Sequence, residues 1–491
     1  MFLGIDLGTG SVKALLLMPD GSVRAEASRR YDVNAPQPGW AESDPDAWWQ
    51  MTCEAIQEAC QKADSTDIQA IGLSGQMHGL VTCTAEGKPL CPAILWADGR
   101  SSHILDKYRE LPEAMLTRLA NPLATGMAGA SLLWLKHHEP DVYEKMAWAL
   151  QPKDWLRVKL TGEFAADPSD ASATLLYDLT KNDWAADIVD ALGLNSEYLA
   201  PLKDSAEVAG KLTQEAAKDL ELPANIPVAT GAGDASAALL GSGLLDEGAV
   251  QLTVGTAAQI TAIRETPTVD ASLRTHLYRA ARPQRYFAMA AMQNAGLALE
   301  WVRRVLSLSW EVLYEEAFNV PAGSNGLIFV PHLSGERTPH LDGQARGAWV
   351  GLGLNHERSH MARAALEGVA FALKEGYLAL QDVGISAEVM RLAGGGTTQR
   401  VWQELLATIL ETPLAPVDVP SASARGAAYL AALSVKALSD ADIDNFSANL
   451  SPDPRTQIDP DPFEGELVAS WQHYRALYPV LKRAREQVAL T

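Results

Sequence analysis

The chain has 491 residues, too many for one ordinary hydrophobic core, so two or three domains are expected. Its 61 acidic residues against 40 Lys and Arg give a formal charge of −21, which weighs against nucleic acid or an anionic membrane as the main partner, because both need a basic surface. Four cysteines without a CxxC pair make no disulfide scaffold, and with no long apolar run and no basic segment at the start the expectation is a cytoplasmic protein.

FLGIDLGTGSVKALLLMPDG, Phe2–Gly21, reads as a strand (Leu3–Gly8), a glycine turn and a second strand (Val12–Met18), with a further strand near Val23–Val33. Asp44 is then a good N-cap with Pro45 at the first helical position. Trp49, Cys53, Ile56 and Cys60 recur at helical spacing, which predicts that they face the core. A strand at Ile68–Ser74 ends in GQMHG. This order is a mixed sheet with helices, not the strict alternation of a doubly wound fold.

Residues from about 100 to 225 read as mostly helical, an insertion on the first sheet. The strand IPVAT leads into GAGDASAALLGSG, a glycine- and alanine-rich crossing suited to a hinge. After it the opening pattern returns in AVQLTVGTAAQITAI, Ala249–Ile263: strand, a Gly-Thr turn, strand. Helices follow at Asn294–Leu306 and Met361–Gln381, then the strand VMRLAGGG and a helix from Thr398. The halves, 1–246 and 247–491, read as duplicated αβ domains, with two chance hairpins as the plain alternative.

Several chemistries are missing. There is no GxxxxGK[ST], no GxGxxG opening a helix after a strand and no HRD, DFG or VAIK set, and His137-His138 lacks the spacing of a helical zinc site. What remains is GIDLGTGSVK. Asp6 ends a buried strand, where a carboxylate is costly unless a cation or donors attend it. Gly8 and Gly10 bare the backbone, and Thr9, Ser11 and Lys13 can donate to phosphate; a capped structural turn is the other reading. Asp234 in GAGDASAA is a candidate acceptor of a hydroxyl proton, or an N-cap of the following helix. Met77 and His78 sit just past a strand's carboxyl end, where open sheets hold ligands, although His78 could equally be structural. Trp96, Asp98 and Arg100 in LWADGR suit a sugar's apolar face and hydroxyls, and Gly394, Gly395 and Gly396 could admit an adenine or ribose against bare backbone.

Taken together, GIDLGTGSVKALL, GQMHG, WADGR, QPKDWLRVKLTGEFAADPSDAS, GAGDASAA, LTVGTAAQ, LSGERTPHLDGQARGAWVGL and LAGGGTTQRVWQELLA resemble the FGGY family of carbohydrate kinases, in that family's order and over nearly the whole chain. The branch acting on xylulose is nearest, through GQMHG, WADGR and SGERTPH together. The resemblance implies an α/β protein of two actin-like (ribonuclease H-like) domains, 1–246 sugar-binding and 247–491 nucleotide-binding, with ATP, Mg²⁺ and sugar in the cleft between them. It implies transfer of the γ-phosphate to O5 of D-xylulose. Asp234 would be the catalytic base and Asp6 the residue near metal and phosphate. Met77 and His78, with Trp96, Asp98 and Asp234, would bind sugar. Thr9, Gly10, Lys13, Gly255 and Thr256 would surround the phosphates, and Gly395 and Gly396 the adenosine. TVGTAAQ lacks two hydroxyls that relatives often carry, so its phosphate contacts would rest on Thr256 and backbone. Glu336 and Arg337 have no role from the residues beyond an inter-domain salt link. A homodimer is also suggested. The alternatives are the same fold acting on ribulose, fuculose, gluconate or glycerol, an actin-like ATPase without a sugar acceptor, and a non-catalytic sugar sensor.

Overall fold

The computed structural model describes residues 1–448 and 450–489. In the first half β1 (Phe2–Leu7), β2 (Ser11–Leu17) and β3 (Val23–Arg30) form an antiparallel meander, and β4 (Ala70–Gly75) joins β1 in parallel. Beyond β4 lie β5 (Val208–Lys211) and β6 (Pro227–Ala229), with the short β7 (Ala232–Gly233) pairing with the last residues of β4. The order is β5-β6-β4-β1-β2-β3.

The second half repeats the plan. β8 (Val250–Val254), β9 (Ala258–Arg264), β10 (His276–Arg279), β11 (Tyr286–Met292), β12 (Met390–Ala393) and β13 (Leu414–Pro416) are ordered β10-β11-β9-β8-β12-β13. In each sheet a central hairpin is extended by an antiparallel strand on one side and by two successive parallel strands on the other, with β5 and β10 added antiparallel at the edges. The duplication read from the two Gly-Thr turns is therefore a duplication of strand order, which two chance hairpins would not produce.

Helix α1 (Pro45–Ala63) starts as expected, with the Asp44 carboxylate accepting from Asp46 N. Its buried face differs from the expected one. Trp48, Thr52, Ala55, Ile56, Ala59 and Cys60 point inward, while Trp49 and Cys53 are only half-buried. Trp48 takes the core position because its indole donates to Ser43 Oγ (2.8 Å) and its ring meets Trp155 edge-on at 6.1 Å.

The middle segment is more than an insertion on the first sheet. It contributes β5 and the helix α2 (Pro152–Thr161), and its Ala120, Tyr177 and Leu179 belong to the core of the second half. Asn121 explains the seam: its amide nitrogen donates to Leu119 O, Ser172 O and Leu277 O, so this segment seals the edge strand β10.

Two helices, one after β7 and one after β13, lie where the chain crosses between the sheets. The glycine-rich crossing expected as a hinge is largely the packed helix α3 (Asp234–Ser242), and only the connector after it, which contains residue 246, links it to β8. Helix α4 (Gly296–Val305) packs beside the second hairpin, and α5 (Arg358–Gln381) buries Leu366, Val369, Leu373, Tyr377 and Leu380, the expected stripe, in the second core. Helix α6 (Ala422–Ser434) follows β13 in sequence but lies on the first sheet: a Cβ at Gly72 would fall 1.9 Å from Ala427 O, and one at Gly4 2.0 Å from Ala424 O. It crosses α3 just as closely, with a Cβ at Gly426 1.9 Å from Ala237 O. The last helix, α7 (Glu466–Ala489), packs on α5. Among the described residues, no helix is long and apolar enough to cross a membrane.

Candidate active site

The carboxyl ends of β1, β4 and β7 meet at one point. The register sets Asp6 beside Ser74 and Ser74 beside Ala232, two residues before Asp234. Asp6 Oδ1 accepts from Ser74 Oγ at 2.9 Å. Burial pushes Asp6 above the usual carboxylate range, while that hydrogen bond and the charge of Lys13 pull it back. Asp234 is the first residue inside α3, with Gly233 at the cap, so it is not the N-cap of the alternative reading. Its Oδ1 accepts from Ala235 N at 2.6 Å. Burial, and then the neighbouring charge of Asp6, push Asp234 up to about 7. Two buried carboxylates, the charge of Asp6 raising Asp234, are a donor set suited to a hard divalent cation, so the residues present fit Mg²⁺.

Beneath Asp234 lies a buried ionic network that the residue-level reading missed. Lys153 Nζ pairs with Asp154 and, at 2.8 Å, with Asp167, while Arg157 bridges Asp154 (2.9 Å) and Thr230 O (2.7 Å). Ser169 and Ser205 donate to Asp167 Oδ2, and Gly233 N donates to Ser169 Oγ at 3.1 Å. Lys153 is thus connected through Asp167 and Ser169 to the residue that precedes Asp234. The available signal was PKDWLR followed by ADPSD, two charge-rich stretches in an otherwise apolar region.

His78 has a left-handed backbone (φ 72°) and sits 2.7 Å from Ala173 O through Nδ1. A carbonyl only accepts, so the proton is on Nδ1 and Nε2 is left as an acceptor. Burial, together with the charge of Arg337, holds the ring down at about 4, against the hydrogen bond to Ala173. Met77 is buried, packed so closely on β7 that a Cβ at Gly233 would lie 2.7 Å from its Cγ. Trp96 donates its indole N–H to Thr9 Oγ1 at 2.8 Å, tying the LWADGR segment to the first turn.

Two expectations are corrected. The buried Asp98 carboxylate is committed to Ala41 N (2.6 Å), Arg100 N (2.9 Å) and the Arg100 side chain, so it has no oxygen free for a sugar. Arg100 in turn pairs with Glu42 and lies 3.6 Å over the Trp40 ring, so the pair is structural. Among the described residues, Glu336 and Arg337 make no inter-domain salt link either. Glu336 accepts from Gln293 N and Arg337 N within its own half. The half-buried Arg337 guanidinium has no ion-pair partner among the described residues and lies 5.2 Å over the Trp96 ring. Charge effects connect it to His78, His276 and Tyr278, which puts this guanidinium on the His78 side of Asp234.

On the opposite side of Asp234 a cavity of about 760 Å³ is lined by Ala235 and Ala238 of α3, by Thr253, Gln259 and Thr261 of the second hairpin, and by Gly394 and Gly395. That volume is within the range of cofactor and nucleotide sites. Gly394 is the glycine its wall requires: φ is 99°, and a Cβ would stand 2.3 Å from Val254 O. Gly395 has open space where a Cβ would be, and Gly396 rests on Val254 rather than on the cavity. The Gly255-Thr256 turn spans three residues between paired strand ends, against four for the Gly8–Ser11 turn, and α4 stacks on it through Gly296 N to Gly255 O at 3.1 Å. Thr256 is exposed, as is Gly10. Lys13 does not project from its turn; it extends from β2 and donates to Ser421 Oγ at 2.9 Å, at the start of α6. The polar wall Thr253, Gln259 and Thr261 went unread as a site because polar residues alternating along a strand read as a solvated face.

Profiles of the FGGY family of carbohydrate kinases match the chain, the N-terminal domain over residues 1–241 and the C-terminal domain over residues 250–435. The xylulose kinase of Escherichia coli (strain K12) is 36% identical over 412 residues, 83% of this chain and 84% of that protein. The xylulose kinase of Bacillus subtilis (strain 168) is 33% identical over 435 residues, 88% and 87% of the two chains. The crystal structure of xylulose kinase from Rhodospirillum rubrum superposes with a TM-score of 0.89 at 32% identity, covering 98% of this chain and 99% of that one.

Proposed function

The chain belongs to the FGGY family of carbohydrate kinases, and from that premise we propose that it transfers the γ-phosphoryl group of ATP to O5 of D-xylulose. The observation that carries the reading is Asp234, a carboxylate raised to about 7 between a cavity of nucleotide size and a pocket containing His78, Trp96 and Arg337. The xylulose kinases it resembles along most of its length support the choice of sugar.

In this proposal the sugar lies on the His78 side. His78 Nε2 accepts from a sugar hydroxyl, and Arg337 donates to the ketose carbonyl or a hydroxyl. Asp234 orients the O5 hydroxyl and takes its proton as the O5–P bond forms and the bond to the ADP oxygen breaks. A group near 7 is well matched to that role at neutral pH. Asp6 would hold Mg²⁺, which when bound would supply charge neutralisation for the transfer. Thr9 and the bared N–H groups of the first turn, with Gly255 and Thr256 opposite, grip phosphate oxygens, and Gly395 gives adenosine a bare wall. Lys13 contributes positive charge from its position against Ser421. The half 1–246 binds sugar and the half 247–491 nucleotide, in a cytoplasmic enzyme that pairs as a homodimer.

One observation favours a second acceptor. A guanidinium without an ion-pair partner on the sugar side would also suit a carboxylate, so gluconate is the alternative substrate. Coupled measurement of ADP release with Mg²⁺ and ATP against D-xylulose, D- and L-ribulose, L-fuculose, gluconate, glycerol and no sugar tests the proposal. D-xylulose should give the highest kcat/KM. A preference for gluconate would reassign the pocket and keep the mechanism, and release independent of every acceptor would overturn the transferase reading.

A further inference from the structure

A second cluster of metal-ligating groups lies within the second half, at the two ends of the SGERTPH loop and on α5. One nitrogen of His332, one of His340 and a carboxylate oxygen of Glu375 on α5 lie within 4.8 Å of one another. His332 is 1% exposed. Its Nδ1 lies 3.2 Å from Glu336 Oε2, so the carboxylate fixes the ring proton on Nδ1. That leaves Nε2 with a lone pair, buried and without a partner among the described residues. A buried acceptor left unmatched is costly, and a hydrogen-bonding role for the cluster does not account for it. His340 Nε2 and Glu375 Oε2 are 3.0 Å apart, and the His340 ring is stacked on Tyr478 of α7 at 3.7 Å, which holds the imidazole in place.

We propose that His332, His340 and Glu375 bind one divalent transition-metal ion, with water completing the coordination. Two imidazole nitrogens and one carboxylate oxygen are a donor set for Zn²⁺, whereas Mg²⁺ prefers all-oxygen surroundings. Glu336 acts as the outer partner that orients a metal-bound histidine through its second nitrogen. The ion ties residues 332 and 340, the two ends of the loop that carries Arg337, to α5, with Tyr478 of α7 packed on one ligand. It is therefore a structural clamp on the loop and not part of phosphoryl transfer.

The full chain, stripped with chelator and free of nucleotide, is titrated with Co²⁺ while visible ligand-field absorption is read, and Zn²⁺ is then used to displace it. One equivalent is expected, with a thermal midpoint that rises with Zn²⁺ and is unmoved by the same concentration of Mg²⁺. His332→Gln and His340→Gln should each weaken binding at least about 100-fold, and Glu336→Gln about 10- to 100-fold through its outer position. Should the histidine variants not fold, Glu375→Gln, which keeps a partner for His340, carries the comparison. His138→Gln is the control, because His103 and His138 bring their Nε2 atoms to 3.3 Å on the surface. Absence of a bound equivalent, an equivalent that survives His332→Gln, or one lost in His138→Gln would each overturn the assignment.

Discussion

At the scale of single residues, Asp234 and His78 make separable predictions. Asp234→Asn should lower kcat by about a thousandfold or more while leaving ATP affinity within about threefold, read by steady-state kinetics and nucleotide titration. In the intact enzyme kcat/KM should rise with pH through about 7, because only the ionised carboxylate can take the hydroxyl proton. The same raised value has a stability consequence. The native state keeps this proton where the unfolded chain, titrating near 3.8, has lost it, so folding stability falls as pH rises from about 4 to about 7. Asp234→Asn should therefore raise the thermal midpoint at pH 8, and the gain should shrink toward pH 4. His78→Asn tolerates the left-handed backbone and removes only the imidazole, so KM for the sugar should rise about tenfold or more with KM for ATP nearly unchanged. Equal effects on both substrates would move His78 out of the sugar pocket. The residue types and order of these groups were legible in the sequence. The tautomer of His78 was not, because a carbonyl 95 positions away decides it.

At the scale of elements, close approach of backbones sets what each glycine tolerates. A Cβ at Gly72 would meet the Ala427 carbonyl of α6 at 1.9 Å, and rigid backbone cannot give way there, so Gly72→Ala should cost about 3 kcal/mol in denaturant unfolding. Gly395→Ala, with no atom within 4 Å, should leave the unfolding midpoint unmoved and raise KM for ATP, since the methyl would project into the cavity. If KM for ATP is unaffected, Gly395 does not contact adenosine. Lys153→Met leaves Asp167 and Asp154 buried against a lost cation, and should destabilise by about 3–5 kcal/mol. Helix α1 shows how far periodicity alone carries. Pro45 and Asp44 fixed its start, but Trp48 rather than Trp49 faces inward, because hydrogen bonding to Ser43 and packing on Trp155 chose between adjacent indoles.

At the scale of the whole molecule, the two sheets meet through α3 and α6, and the reacting groups lie where those helices begin. Asp234 opens α3, and Ser421, which accepts from Lys13, precedes α6. A kinase built this way should exclude water by bringing its halves together only when both substrates are present. ADP release without sugar should then be at least about 100-fold slower than with it, and small-angle scattering should show a smaller radius of gyration with sugar and a non-hydrolysable ATP analogue than with either alone. Sugar-independent turnover at a comparable rate would overturn this account. The acidic surface is compatible with a neutral acceptor, whose recognition rests on hydroxyl partners and one local guanidinium rather than on net charge.

The sequence by itself determined the duplicated plan, the two Gly-Thr turns and the acids Asp6 and Asp234, because each is written in contiguous residues whose backbone requirements are local. Tertiary structure alone decided which polar groups stay free. Asp98 and Arg337 look equally available in the chain, yet Asp98 is consumed by Arg100 and Ala41 while Arg337, over Trp96, has no ion-pair partner among the described residues. It also decided that α6 lies on the first sheet, and that Thr253, Gln259 and Thr261 line one cavity. The physical reason is the same in each case: hydrogen-bond satisfaction and burial depend on partners distant in the chain, and only the packed fold brings those partners together.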